Sequence, residues 1–339
     1  MGAGAADRRR PHAVTTGRPT RRAALAMIAP ALVARAARAQ PGYPSRPVRI
    51  VVPFPAGGGA DLVARSVAEG LAAAMGQGFV VDNRPGGSGN IGTELVARAP
   101  ADGYTLLLIG PNHVINPFLF GRVPFDPVAD FRPVSLLTSA SYVLVAGPAL
   151  PEGGFKALVA RARAEPGRVS YGSAGNGSAG HLGMELIKQS LGLDMVHVPY
   201  RGSSAMLTDL MGGRIVAGFD NILSAAPHIA AGRLRALAVS GRARAPALPE
   251  VPTIAESGLP GFDVTVWQGL LAPAGTDGAI IETLRDAVRA ALLLPTLEAR
   301  LASLGVEAIG SDPDGFGRFI AAELERWSEV VRRSGAKAD

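Results

Sequence analysis

Three loops in this sequence collect glycine together with serine, asparagine and histidine. They are Phe54-Pro55-Ala56-Gly57-Gly58-Gly59-Ala60-Asp61, Asn83-Arg84-Pro85-Gly86-Gly87-Ser88-Gly89-Asn90 and Gly172-Ser173-Ala174-Gly175-Asn176-Gly177-Ser178-Ala179-Gly180-His181. The chemistry open to them is anion capture. Glycine lets backbone amides approach a ligand without a side-chain barrier. A helix start adds partial positive charge, worth about 0.3–1 kcal/mol to an anion. A carboxylate suits such a cradle. Neutral donors hold it without burying a counter-charge, which avoids the desolvation cost of a fixed ion pair. In the first loop the glycines serve either this purpose or only a tight turn. Asp61 is expected to cap the helix and point at the loop amides.

Rival chemistries lack their motifs. Gly57-Gly58-Gly59 does not have the G-x-G-x-x-G spacing, because Asp61 and Leu62 stand where glycine is needed, and no Lys-Ser/Thr pair follows to make a phosphate loop. A nucleophile elbow needs G-x-S-x-G, and the frames Tyr171–Gly175 and Asn176–Gly180 each lack the first glycine. His181 then reads as a helix-start hydrogen-bonder rather than a base. Five histidines, no cysteine and no H-x-x-x-H pair leave metal catalysis unsupported. No cofactor and no metal are expected. Tyr200 is a candidate for the ligand cleft, and Arg201 either pairs a second carboxylate or braces its loop. Asp220 either accepts from an ammonium or hydroxyl of the ligand or caps the next segment. Trp267 is core or cleft wall.

Each loop must be positioned by a strand before it and a helix after it. Val48–Val52, Phe79–Val81 and Thr105–Ile109 read as strands. Helices are expected from Asp61, with Val63, Val67, Leu71 and Met75 on one face, and from Ile91 to Ala99. Residues 142–146 begin a second series. Helix 154–164, strand Val169–Gly172, helix His181–Leu191 and strands at Val196–Val198, Arg214–Phe219 and Leu234–Val239 follow. The alternation predicts α/β architecture with mainly parallel sheets. Asp312-Pro313 starts a last helix with Phe316, Phe319, Ile320, Leu324, Trp327 and Val331 on one stripe. This tail is expected to return to the first domain, so that the chain crosses between domains near 142 and 265.

Charge and composition narrow the setting. The chain carries 34 basic and 28 acidic residues, but from residue 40 onward only 26 and 27 remain. The excess basicity lies in residues 1–39, and a nucleic-acid partner loses its support. That extension has an export layout: Arg21-Arg22, an apolar run from Ala23 to Ala34, then Ala37-Arg38-Ala39 before Gln40. The arginine pair is similar to a twin-arginine signal. The apolar run is shorter than the roughly 20 residues a permanent span needs. A soluble, monomeric periplasmic protein cleaved near Ala39-Gln40 is expected.

The order and spacing of these motifs resemble the Bug family, the extracytoplasmic receptors of tripartite tricarboxylate transporters. The resemblance rests on Pro53–Asp61, Asn83–Gly86, Gly89–Gly92, Asp102–Leu106, Tyr171–Ser173, Gly175–His181, His197–Gly202, Leu234–Val239 and Val251–Thr253, and runs from about Tyr43 to Trp327. It implies a type II periplasmic-binding-protein fold, with two lobes (43–141 plus 266–339, and 142–265) closing on a ligand cleft. It implies that Phe54, Ala56, Gly57, Gly58 and Asn90, with Gly59 in the same loop, act from one lobe. Ser173, Ala174, Gly175, Ser178 and His181 act from the other, and Asp220 reads the ligand's distinguishing group. Where relatives often have Gly-Ala-Gly-Gly after Arg-Pro, this chain has Gly86-Gly87-Ser88-Gly89. Gly59-Ala60 replaces a commoner hydroxyl-bearing step. The implied function is capture of a small carboxylate (a di- or tricarboxylate, an aromatic acid or an acidic amino acid) and delivery to a membrane permease. A ligand-sensing partner of a signalling receptor, or an α/β enzyme with a cofactor on the glycine loops, are the alternatives.

Overall fold

The computed structural model describes Gly2 and residues 42–150, 152–200, 202–303 and 305–337. The expected export signal over 1–39, its cleavage point at Ala39-Gln40 and Arg201 lie outside the described residues. Tyr43–Asp339 forms one compact unit.

Alternating apolar residues build the first part of the sheet. Strands β1 (Val48–Val52), β2 (Phe79–Asn83) and β3 (Thr105–Ile109) lie parallel in the order β2-β1-β3. Helix α1 (Gly59–Met75) links β1 to β2, and α2 (Asn90–Ala97) links β2 to β3. Val48, Ile50, Val52, Leu106 and Leu108 pack with Val63, Val67 and Leu71 of α1. Val51, Leu107 and Ile109 face the other way and join Val96 of α2 and Val114 and Ile115 of α3 (Asn112–Leu119). Successive strand residues point to opposite faces, so both faces of this sheet are covered.

Strand β4 (Phe131–Ala146) is 16 residues long and connects two sheet regions. Residues 131–141 run antiparallel to β9 (Thr265–Pro273), which also pairs antiparallel with β3. From Tyr142 to Ala146 the partners become β7 (Ala217–Asn221) and β8 (Arg235–Val239). Beyond β7 lie β5 (Ser170–Ser173) and then β6 (Val196–Pro199), both parallel. A two-residue strand β10 (Glu307–Ala308) borders β4. The parallel expectation holds for β1–β3 and β5–β7, whereas β4 and β9 join them antiparallel. The sequence reading began β4 eleven residues late. Pro133 and the serines at 135, 139 and 141 interrupt the apolar run that marks a buried strand.

Among the described residues the second region carries α4 (Gly154–Ala164), α5 (Ala179–Leu191), α6 (Ser203–Met211) and α7 (Ile222–Ala230). Helices α8 (Gly278–Leu292) and α9 (Pro295–Ser303) return to β1–β3. The closing helix α10 (Pro313–Ser334) is capped by Asp312, whose carboxylate accepts from the Gly315 amide at 2.6 Å. Phe316, Ile320, Trp327 and Val331 are buried, while Phe319 and Leu324 are half-buried. The helix lies on α3, β4 and α5, so it touches both sheet regions. Trp267 is core: it is fully buried, and its indole donates to Glu323 Oε2 at 3.2 Å, which also accepts from Trp327 at 3.0 Å.

Candidate functional site

The three glycine-rich loops leave the C-terminal ends of β1, β2 and β5, the end of a parallel strand where α/β sheets bind ligands. In the first loop, Ala56, Gly57, Gly58 and Gly59 are exposed and Phe54 is half-buried. Asp61 sits in the first turn of α1 rather than at its cap. It accepts from the Gly57 amide at 2.9 Å, from Arg65 at 3.0 Å and from Asn83 Nδ2 at 3.0 Å. Burial opposes its charge, but these donors together hold its carboxyl below the usual range. Asn83 also donates to the Phe54 carbonyl at 3.1 Å, so this carboxamide staples the first loop rather than facing a ligand. The Gly57 amide is spent on Asp61. Gly58, the cap position of α1, brings no side-chain acceptor, so the first-turn amides of Gly59 and Ala60 have none in the helix or its cap.

The second loop is fixed by α3, a helix the sequence reading did not single out. Asn116 donates to the Ser88 carbonyl at 3.0 Å and to Asn90 Oδ1 at 2.8 Å. Asn90 is buried, and its Nδ2 is left to donate elsewhere. Polar residues at 112, 113 and 116 inside an apolar helical run were the available signal. The same helix meets the third loop: a Cβ on Gly177, at φ +67°, would strike Leu119. Gly177 therefore needs both its left-handed backbone and its lack of a side chain.

Within the third loop the hydroxyls are committed. Ser173 donates to the Gly175 carbonyl at 3.0 Å, and Ser178 donates to the same carbonyl at 2.8 Å. Ser178 also caps α5 by accepting from the His181 amide at 3.2 Å. His197 Nε2 lies 2.8 Å from Ser173 Oγ. Since the serine proton goes to Gly175, His197 is the donor there, the reverse of a base activating a nucleophile. His181 accepts from the Gly177 amide at Nδ1, at 3.0 Å, and stacks on His197 with ring centres 3.8 Å apart. Tyr171 stacks on the far side of His197 at 5.0 Å. Burial lowers the His181 pKa, and burial plus the His181 neighbour takes His197 down to about 3. Both rings are neutral at physiological pH. Ala174 and Gly175 are half-buried. Removing the Ser178 hydroxyl by Ser178→Ala should cost about 1 kcal/mol of unliganded stability, the ordinary worth of a helix cap. Urea denaturation checks this, and an unchanged midpoint would show the cap to be idle.

Tyr200 turns its hydroxyl to Asp209 Oδ2 at 3.0 Å and its ring towards Gly172. Asp220, at the end of β7, is 3% exposed. Its Oδ1 accepts from Ser203 at 2.7 Å, and its Oδ2 is buried with no partner among the described residues. Burial pushes its carboxyl up to about 6 against the Ser203 hydroxyl and the Asn221 amide. Ser203, which opens α6, was missed in the sequence, where only its place after Gly202 marked it. A cavity of about 30 Å³ is lined by Gly59 of α1, Ala140 of β4, Asn221 beside Asp220, and Gln268 of β9. The first loop and the end of β7 thus border one space.

Two parallel sheet regions joined across antiparallel β4 and β9 give an α/β fold of the periplasmic-binding type. Comparison places it further. Residues 63–336 match the model of the tripartite tricarboxylate transporter family receptor. The chain is 39% identical to protein BugT of Bordetella pertussis over 297 residues, 87% of this chain and 91% of that one. It is 40% identical to a UPF0065 protein of Pseudomonas sp. strain P51, in the tcbD-tcbE intergenic region, over 92% of this chain and 94% of the relative. A solved R. palustris protein with adipate is 38% identical with a TM-score of 0.76, covering 87% of this chain and 99% of its own. MatC of Rhodopseudomonas palustris, with bound malate, is 32% identical with a TM-score of 0.73, over 85% and 100%. The chain belongs to the tripartite tricarboxylate transporter receptor family, which includes the Bug proteins. This is a family of solute-binding receptors, not of enzymes. No helix among the described residues is long and apolar enough to cross a membrane.

Proposed function

We propose that this chain works in the periplasm, captures a small carboxylate whose chain carries a hydroxyl or amino donor, and delivers it to a tripartite tricarboxylate-type permease. The observation that carries this reading is the start of α1, where Gly58 leaves the Gly59 and Ala60 amides without a side-chain acceptor. An anion is the natural complement of such a helix start. On the other side, the Asp220 oxygen without a partner accepts the donor group of the solute. Phe54, Ala56 and Asn90 line the first half of the site, and the loop around Ala174 and Gly175 lines the second. Adipate and malate in the related structures support a carboxylate solute, and of the two malate carries the hydroxyl donor.

The lobes are 43–141 plus 266–339, and 142–265. The change of β4 partners between Ser141 and Tyr142, and the entry of the chain into β9 at Thr265, support hinges at those two crossings. A solute bound from both sides has its full contacts only in the closed form and shifts the population towards it. The closed receptor then docks as a monomer on the permease. The basic, apolar extension 1–39 serves export and is removed near Ala39-Gln40.

A thermal-shift screen with succinate, malate, adipate, citrate, benzoate and glutamate tests the reading. A solute at 100 times its dissociation constant adds about 2.7 kcal/mol to the folded state. At least one acid should raise the melting temperature by several degrees at millimolar concentration. No shift with any of them would overturn the carboxylate assignment.

A further inference from the structure

Behind Phe54 lies a second, smaller cavity of about 10 Å³, lined also by Asn90, Asn112, His113 and Asn116. Two of its lining residues, His113 and Asn116, each keep one acceptor that no donor among the described residues satisfies. His113 Nε2 is 2.8 Å from the Pro127 carbonyl. A carbonyl only accepts, so Nε2 carries the proton and Nδ1 presents a lone pair. Burial holds His113 down at about 4, so the ring stays neutral at working pH. Asn116 has its amide orientation fixed in the same way. Its Nδ2 must face the Ser88 carbonyl, because the flipped amide would set two acceptors against each other. Its Oδ1 is therefore the atom left over. His113 Nδ1 and Asn116 Oδ1 are both buried without a partner. The two residues are 4% and 2% exposed. They stand three apart on α3, on one face of the helix.

Buried acceptors call for a donor, and a cavity of this size holds about one water-sized group. We propose that this cavity is a donor subsite, which takes one group with two hydrogens to give, one to His113 Nδ1 and one to Asn116 Oδ1. Water and a primary ammonium group share that chemistry. A carboxylate oxygen, an acceptor only, is rejected. Phe54 and Asn90 line this cavity as well as the first half of the proposed solute site. An α-amino acid carries such an ammonium group; its ammonium then sits here rather than at Asp220, which is left to a hydroxyl-bearing solute. The solvent source is independent of the carboxylate reading above, whereas the solute source rests on it.

Crystals of the full chain, first without solute and then with L-aspartate or succinate, test the subsite. The solute-free crystal should show a peak at hydrogen-bonding distance, roughly 2.6–3.2 Å, from both acceptors. If the ammonium is the natural occupant, aspartate displaces that peak and binds about tenfold more tightly than succinate in calorimetry. His113→Phe, which keeps the ring between Phe125 and Phe131 but removes the acceptor, then abolishes the difference. If water is the occupant, the peak persists beside either solute, and the two acids bind alike. An empty cavity in the solute-free crystal, or one holding chloride or a carboxylate oxygen, would overturn the proposal. If neither acid binds, the carboxylate reading suffers, but the solute-free crystal still decides the donor site.

Discussion

Asp220→Asn should stabilise the unliganded protein relative to wild type by about 2.5 kcal/mol more at pH 8 than at pH 4. The reason is a carboxyl that the fold keeps from water without a full set of partners. One oxygen receives the Ser203 hydroxyl and the other receives nothing. Its pKa stands at about 6 against an ordinary 3.8. The sign follows from where each state binds its proton. Below the ordinary value both states are protonated and Asp220 is neutral in stability. Between the ordinary value and 6, the unfolded chain has lost its proton while the folded chain still holds it, so stability falls as pH rises. Above 6 the whole penalty is present. Asparagine does not titrate, so its curve lacks this fall. Urea denaturation of both proteins at several pH values measures it, and parallel curves would remove the buried charge from the account. The same substitution should weaken a donor-bearing solute by about tenfold to a hundredfold, the worth of a charge-assisted hydrogen bond. Wild-type affinity for that solute should rise through pH 6 as Asp220 ionises. A group that costs stability and improves binding is what a receptor retains.

The strands and loops of the site were legible because their signals are local. Val48–Val52 and Thr105–Ile109 are mostly apolar, with β-branched residues in both, and glycine marks each of the three loops that leave β1, β2 and β5. The partners inside the loops were not legible, because they come from elsewhere in the chain. Asn116 orients Asn90 from 26 positions away, and His197 reaches Ser173 from 24. Nothing in a strand reading of Val196-His197-Val198 says which ring will stack on which. Asn83 belongs to a loop that offers amides and carboxamides to a ligand, whereas its own amide holds Phe54 and Asp61. Local sequence shows that an amide is near a strand end, but only the packed fold shows which atom it faces. Strand β4 was half-seen for a related reason. Its first eleven residues mix Arg132, Pro133, Thr138 and three serines with apolar residues, and their burial is decided by pairing with β9 rather than by a local apolar run.

Gly180→Ala should separate stability from recognition in the second half of the site. Helix α5 lies close on β7 because two of its residues have no side chain. A Cβ on Gly180 would stand 2.5 Å from the Phe219 carbonyl oxygen, and one on Gly183 would stand 2.5 Å from the Phe219 ring edge. The two obstacles differ in kind. A ring edge can turn by a few tenths of an ångström. A strand carbonyl cannot, since Phe219 pairs with Leu144 of β4. With alanine at 180, the start of α5 must lift away from β7. That start carries Ser178 and His181, and the strand residue after Phe219 is Asp220. Overpacking of this kind costs about 1–3 kcal/mol. The displacement should also lower solute affinity by more than about tenfold, because contacts set to within about half an ångström are lost together. Gly183→Ala should cost less stability and leave affinity within about threefold, since the ring can give way and its clash lies one turn further from the loop. Calorimetric titration of both variants, alongside urea denaturation, provides the comparison. Equal loss of affinity in the two would mean that the start of α5 does not set the site, and wild-type affinity in Gly180→Ala would mean the same.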